Sequence, residues 1–486
     1  MSKKVFIAEQ ETLLEVQEQV EKLVRNLVPD DAPIYGMVIH EASDLNPSTR
    51  VEYLGANKDF TPMSMNMSTH AMNYGSWADW DWLKANVPVM CNWDGGIDYF
   101  LDPDDYTKKA DGTNSDAANI DYAGDAMAIV KKIYKKEYKV GNDRYVYFCE
   151  RKVDDDFHAV GFNVLGKERD YMLIPMFYGS IDSNGKMRSI AGQWSCLTAS
   201  GSAADNATGK AIGTAEQYTA IQAASSKALF FGGALTNTLA DICILLSKST
   251  DSQTAFGSGM CSTYVEDKTQ HYGTKINTVI GGGQFYGSND NKSFNKIFHS
   301  CVMGSYMLWQ RDPYMLLING RIKVSPDYTY DLTGAKYLDT GVNLAKNGYY
   351  ATTQVVKDFG AVPNDEIACS SATGYCDHTW VNAEITAVSL RFGNCNYGAG
   401  DGLWARTLND VAADAWWDSG ASKLLPSTCM QREAADRGLG SPSCLYKYRN
   451  DFLKDLEGLS ELPLRRFRCG SAIATTVLMT GSGLAH

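Results

Sequence analysis

The stretch that most restricts how this chain can fold lies between residues 390 and 422, where LRFGNCNYGAG leads through Asp401 into GLWARTLNDVAADAWWDSGAS. Glycines, a Leu408-Asn409 pair and spaced tryptophans hold small, polar and aromatic residues at every second or third place. Such a pattern suits a rigid frame presenting an irregular recognition surface. No catalytic constellation accompanies it, so binding is expected ahead of catalysis.

The chain has 486 residues and predicts two or three domains, because single cores stop growing near about 250–300 residues. With 44% hydrophobic and 21% charged residues, a large core is feasible and a disordered or fibrous chain is excluded. The 45 basic against 57 acidic residues leave a net charge of −12, which repels a polyanion over most of the surface and argues against nucleic acid as a partner. The opening MSKKVFIAEQ holds no apolar run of signal-peptide length, and no later segment reaches the about 20 apolar residues of a membrane span. Synthesis in a cytoplasm without membrane insertion is the expectation.

Residues 12–28 predict an amphipathic helix: Leu13, Val16, Val20, Leu23 and Leu27 recur at steps of three and four, Thr12 and Glu15 form a capping box, and Pro29 ends it. A seam this narrow suits self-association or docking into a partner, and equally a helix lying on its own domain. From 33 to 150, β-prone runs at 35–40 and 145–149 alternate with turns, predicting a small α+β unit. Trp77, Trp80, Trp82 and Trp93 are expected in core packing rather than ligand stacking. The run Asp102-Pro103-Asp104-Asp105 reads as a turn more readily than as a calcium loop, since it lacks spaced ligands.

Further on, strands are expected at 171–178 and 276–280 and helices at 215–229 and 235–246, joined by glycine-rich loops. Basic residues from Lys447 to Arg468 predict a solvated face or a contact with an acidic subunit, and 472–479 predicts a terminal strand.

The seven histidines, at 40, 70, 158, 271, 299, 378 and 486, are too far apart for a helix-borne zinc motif. A G-x-S-x-G elbow is absent, and Gly281-Gly282-Gly283 lacks the lysine and hydroxyl of a phosphate-cradling loop. Twelve cysteines include no C-x-x-C pair; Cys369 and Cys376, seven apart, leave a disulfide open. Cys395 and His378 offer a nucleophile pair only if the fold brings them within hydrogen-bond reach. Paired carboxylates of a glycosidase leave no local signature.

The marks Gly393, Gly398, Gly402, Leu408-Asn409, Trp417 and Gly420-Ala421 resemble the variable region of C-type-lectin-like proteins of bacteriophages, including those diversified by retroelements. GGQFYGSNDNKSFNKIFH at 282–299, INGRIKVS at 318–325, IYGMVIHEASD at 34–44 and DYFLDPDDYTKK at 98–109 are similar to gut-phage structural proteins. The resemblance implies an α+β fold: a C-type-lectin-like domain, related in shape to formylglycine-generating enzymes, with loop-rich insertions. It would follow an N-terminal attachment helix (1–32) and a small α+β domain (33–150), occupy 151–425, and be trailed by an extension (426–486). It implies a virion protein that is not an enzyme, needs no cofactor or metal, forms a homotrimer, joins other virion proteins through its N-terminal helix and binds a glycan or protein on the host surface. Gly402, Leu408, Asn409, Trp417, Gly420 and Ala421 would form the frame. Contacts would fall to Asn394, Asn396, Tyr397, Asp401, Leu403, Arg406, Asp410, Trp416 and Asp418: stacking by Tyr397 and Trp416, a guanidinium fork from Arg406, and hydroxyl binding by the Asn and Asp groups. A purely structural virion role, or a surface depolymerase or oxidase-like enzyme, would be the alternatives.

Overall fold

Residues Asn319-Gly320 are the whole loop of a hairpin that closes Ile318 on Arg321. Their φ values of 50° and 78° are what a two-residue turn needs to match the twist of its strands, and asparagine and glycine reach them at least cost. The register fixed there runs into the largest sheet. The computed structural model describes residues 31–42, 45–193, 212–262, 283–345, 349–356, 360–416 and 418–427, with Val16 and Gln19. The helix expected over 12–28 apart from those two positions, the strands expected at 276–280 and 472–479, the basic C-terminal cluster and Trp417 lie outside the described residues. All elements below belong to one compact unit, Met1–Thr428.

The architecture is mixed α+β and dominated by sheet, with about 14% helix. The large sheet orders its strands Leu338–Asn343, Arg321–Val324, Trp309–Ile318, Thr386–Arg391, Arg406–Leu408, His378–Val381, Tyr349–Val356 and Gly360–Cys369, with Ser419–Gly420 added along Trp309-Gln310. It curls into a half-barrel. Pro313 sits inside the third of these strands, where a register shift between Asp312 and Leu316 accommodates its missing N–H. A second sheet runs Leu229–Phe230, Lys423–Pro426, Tyr171–Pro175, Gly124–Lys131, Pro88–Asn92 and Ile97–Phe100. Its strands come from both sides of residue 150, so that expected boundary does not divide the sheet. A third sheet orders Val51–Gly55, Tyr35–His40, Asp143–Cys149 and Tyr134–Val140.

The helix Gly233–Ser247 has buried residues on every side from Gly233 to Leu246, and its buried polar side chains Thr236, Asn237, Thr238 and Asp241 each meet a hydrogen-bonding or charged partner. Its N-terminus is held by Asp312, whose Oδ1 accepts from the Gly233 N–H at 2.8 Å while Oδ2 lies 3.3 Å from Arg391. The third sheet turns charged side chains toward this helix. Lys135 Nζ lies 2.5 Å from both Glu137 and Asp241, and Arg144 lies 2.5 Å from Glu137 and 2.7 Å from Asp241. Two cations thus face two carboxylates out of water. Burial alone would raise the Asp241 carboxyl, but Arg144 and Lys135 overcome it and hold it below the usual carboxylate range.

Trp77, Trp80 and Trp82 are buried, meeting Tyr35, Phe60 and Phe298 edge-on or tilted at centroid distances of 5.0–5.8 Å. They are core residues. Trp93 differs: it is half-buried with Lys186, Arg188 and Lys423 within 5 Å of its ring centroid. Asp102 Oδ1 accepts from the N–H groups of Asp104 and Asp105, the local geometry of a turn. The eight described cysteines, Cys369 and Cys376 among them, are free thiols.

Candidate recognition face

Strands His378–Val381 and Arg406–Leu408 run parallel, with Thr379 opposite Arg406 and Trp380 opposite Thr407. Because side chains alternate across a strand, Thr379 and Arg406 share the face toward the long helix, and Trp380 and Thr407 share the other. Val381 and Leu408 return to the first face and join a core with Met315, Leu317 and Val362. The sheet therefore projects Trp380 outward from a packed base.

Aromatic rings gather around it. Tyr350 meets His378 at 5.0 Å between centroids, His378 meets Trp380 at 4.2 Å, Trp380 meets Tyr397 at 4.5 Å, and Trp309 touches both Trp380 and Tyr397 at 5.5 and 5.8 Å. Trp309 is buried, His378 and Trp380 are half-buried, and Tyr397 is 42% exposed. Beside this row Trp416, 55% exposed, donates its indole N–H to Asp410 at 3.1 Å. Asp410 also accepts from Thr407, the outward partner of Trp380 across the ladder. Asp418 accepts from Asn394 at 2.5 Å and donates nothing in its ionised form, and Asp414 accepts from the Val411 N–H at 2.7 Å.

Beneath the aromatic row, the loop 392–405 is pinned from inside. A Cβ on Gly393 (φ +104°) would fall 1.7 Å from Asp401 Oδ1, and one on Gly402 (φ +155°) 2.1 Å from Asp377 Oδ1. Glycine is thus required at both places for the carboxyls to reach the backbone. Asp401 accepts from the Asn394 N–H at 3.2 Å, and Asp377 from the Trp404 N–H at 2.7 Å. Gln253 donates to the carbonyls of Gly398 and Asp401 at 2.8 and 2.7 Å. These contacts fix the backbone that carries Tyr397.

The expected contact residues divide in two. Asn396, Tyr397, Asp410, Trp416 and Asp418 are exposed or half-buried. Asn394, Asp401, Leu403 and Arg406 are buried at 2%, 0%, 1% and 1% exposure, so outward contact by these four is corrected to a framing role. Arg406 in particular reaches Asn237 of the long helix at 2.7 Å, because its place in the ladder shares the inward face with Thr379. The guanidinium fork onto a ligand falls away with it. Of the expected frame, Gly402, Leu408, Gly420 and Ala421 are buried, whereas Asn409 is exposed. His378 and Trp380 were missed as a surface pair; aromatic residues at alternate positions of the run DHTWV were the available signal.

Burial pushes the Asp418 and Asp410 carboxyls above the usual range, with Asp414 and Asp418 adding to it at Asp410. It also raises the Tyr397 phenol, on which Asp418 and Asp410 act next. These three groups therefore feel one another across a single surface. Asp377 and Asp401 are raised further by burial. A folded-state pKa above the unfolded value of about 4 means stability present in acid and lost as pH rises through the folded value. Asp377→Asn keeps an acceptor for Trp404 and removes that loss. It is expected to raise Tm at pH 8 and leave it unchanged at pH 4, as thermal unfolding followed by circular dichroism would report.

Among the described residues, no group of three or more His, Cys, Asp or Glu side chains is placed to hold a metal. No protein-family model matches the chain, and a search of curated proteins returns no match.

Proposed function

We propose that the protein is a phage virion adhesin with a C-type-lectin-like domain, which grips a glycan or protein on the host cell through the surface built on Trp380, Tyr397 and Trp416. The observation that carries this reading is a pair of exposed rings: Tyr397, on a loop pinned by Asp377, Asp401 and Gln253, and Trp416, bonded to the half-buried carboxylate of Asp410. Large apolar rings left in water on a rigid base are unusual in a resting surface and fit stacking against a partner. The resemblance of 390–422 to phage variable regions supports the same assignment, with trimerisation and attachment to the particle through the N-terminal helix.

Affinity at each site would be modest and multiplied by copies held close together. Each ring contributes on the order of 1–3 kcal/mol to such a contact, so Tyr397→Ala with Trp416→Ala is expected to lower adsorption of the protein to host cells at least about thirtyfold. Circular dichroism of the double variant should match the parent. Unchanged adsorption would remove the reading.

A further inference from the structure

Lys296 is 0% exposed, and its amine meets a phenol: Nζ donates to Tyr106 Oη at 2.7 Å. Tyr106 Oη in turn lies 2.8 Å from His299 Nδ1, and both residues are 1% exposed. His299 also bonds the Asn86 backbone. Because Lys296 donates to the phenol oxygen, the phenol hydrogen is left for Nδ1, and the chain closes only while His299 is neutral. The groups that act on Lys296 do little to balance a charge there. Cys301 is a buried thiol pushed up to about 12, and Asp104 is an exposed residue bonded to the Gly283 N–H at 2.9 Å. Tyr74, which faces Tyr106 from a third segment, is held neutral by burial in the same way.

The turn that carries these groups is strained. Phe298 and His299 both take left-handed φ, 54° and 61°, which residues with side chains seldom adopt, and Ser300 ties the turn to the Ile297 N–H and the Pro175 carbonyl. We infer that Lys296, Tyr106 and His299 form an acid-opened clamp, which holds the 102–116 loop against the turn 297–300 while its groups are uncharged and releases it when protons charge them. A buried ammonium or imidazolium without a close carboxylate is costly, and opening returns it to water. The sign follows from both groups. Burial lowers the Lys296 amine to about 7, and burial and Lys296 together hold His299 well below its ordinary value. The open state therefore binds more protons from about pH 10.5 down to 7 through Lys296, and again below about 6.5 through His299, so the closed state weakens as pH falls. None of these residues belongs to the surface around Trp380, and the clamp does not rest on the adhesin reading.

The test is hydrogen exchange of the full chain at pH 8 and pH 6, corrected for intrinsic exchange and read in peptides covering 102–116 and 295–301. The opening constant of both segments should rise together at least about tenfold on going to pH 6. Lys296→Met, which keeps the length of the side chain and cannot be charged, should lose most of that rise. Equal protection at the two pH values, or Lys296→Met with the unaltered pH dependence, would overturn the inference. A second measurement needs no variant: the ¹⁵N shifts of His299 in the unaltered protein should show a neutral ring at pH 6.5 with Nδ1 free of its proton. An imidazolium at that pH, or a proton on Nδ1, would equally overturn it.

Discussion

Asp241→Ala is expected to lower the unfolding free energy by about 3–5 kcal/mol, because it leaves Lys135 and Arg144 to share the single carboxylate of Glu137 in a dry interior, one positive charge uncompensated. The carboxylate lies within 2.5 Å of Lys135 and 2.7 Å of Arg144, and both of its partners are 0% exposed. Since whole-domain stability is about 5–15 kcal/mol, this one truncation removes a large share of it. The comparison that isolates burial is Lys132, which bridges Glu168 at the surface at 2.8 Å, its partner 45% exposed. Lys132→Ala should cost less than about 1 kcal/mol. Urea unfolding of both variants decides the matter: equal midpoints would show that the inner network contributes no more than a surface pair. Its pH signature is opposite to that of Asp377. The Asp241 carboxyl is held below its unfolded value, so its contribution is present above that value and lost as pH falls through the folded one.

Gly393→Ala is expected to be the most damaging change in the recognition loop. A left-handed residue with a side chain costs about 1–3 kcal/mol. Its Cβ would also displace the buried Asp401 carboxyl, which lies 1.7 Å from the ideal position and binds the Asn394 N–H. Overpacking of that kind adds about 1–3 kcal/mol. Ligand binding and the near-ultraviolet signal of Trp380 and Trp309 should fall together, with the far-ultraviolet spectrum retained. By contrast, Gly185→Ala, where the added Cβ meets no atom within 4 Å, carries only the backbone term. Gly185→Ala should leave binding intact.

Local pattern carried much of the secondary structure. The strand at 35–40 has the expected bounds, 145–149 lies within Asp143–Cys149, and the helix expected at 235–246 occupies Gly233–Ser247. Misses occurred where distant pairing won. The helix expected to 229 stops at Ala224, because Leu229 and Phe230 pair with Leu424 and Lys423 almost two hundred residues on. The strand expected to 178 ends at Pro175, where proline leaves no N–H for the ladder.

The candidate site was legible as a segment and not as a surface. Its glycines and aromatic residues mark where the chain must turn, but Phe392 and Gly393 both take positive φ and turn Asn394 inward. Arg406 faces inward because its strand runs parallel to His378–Val381, a partner that no window around 406 contains. His378 and Trp380 enter the face through that same long-range pairing.

The most direct test of the account is hydroxyl-radical footprinting of the full chain, alone and with host-cell envelope. Tyr397 and Trp416 should be oxidised in the free protein and protected when envelope is added, while Leu165, 61% exposed on the separate hairpin of Asn163–Val164 and Lys167–Glu168, is unchanged. Tyr397 and Trp416 that resist oxidation in the free chain, or that oxidise equally with envelope present, would contradict it.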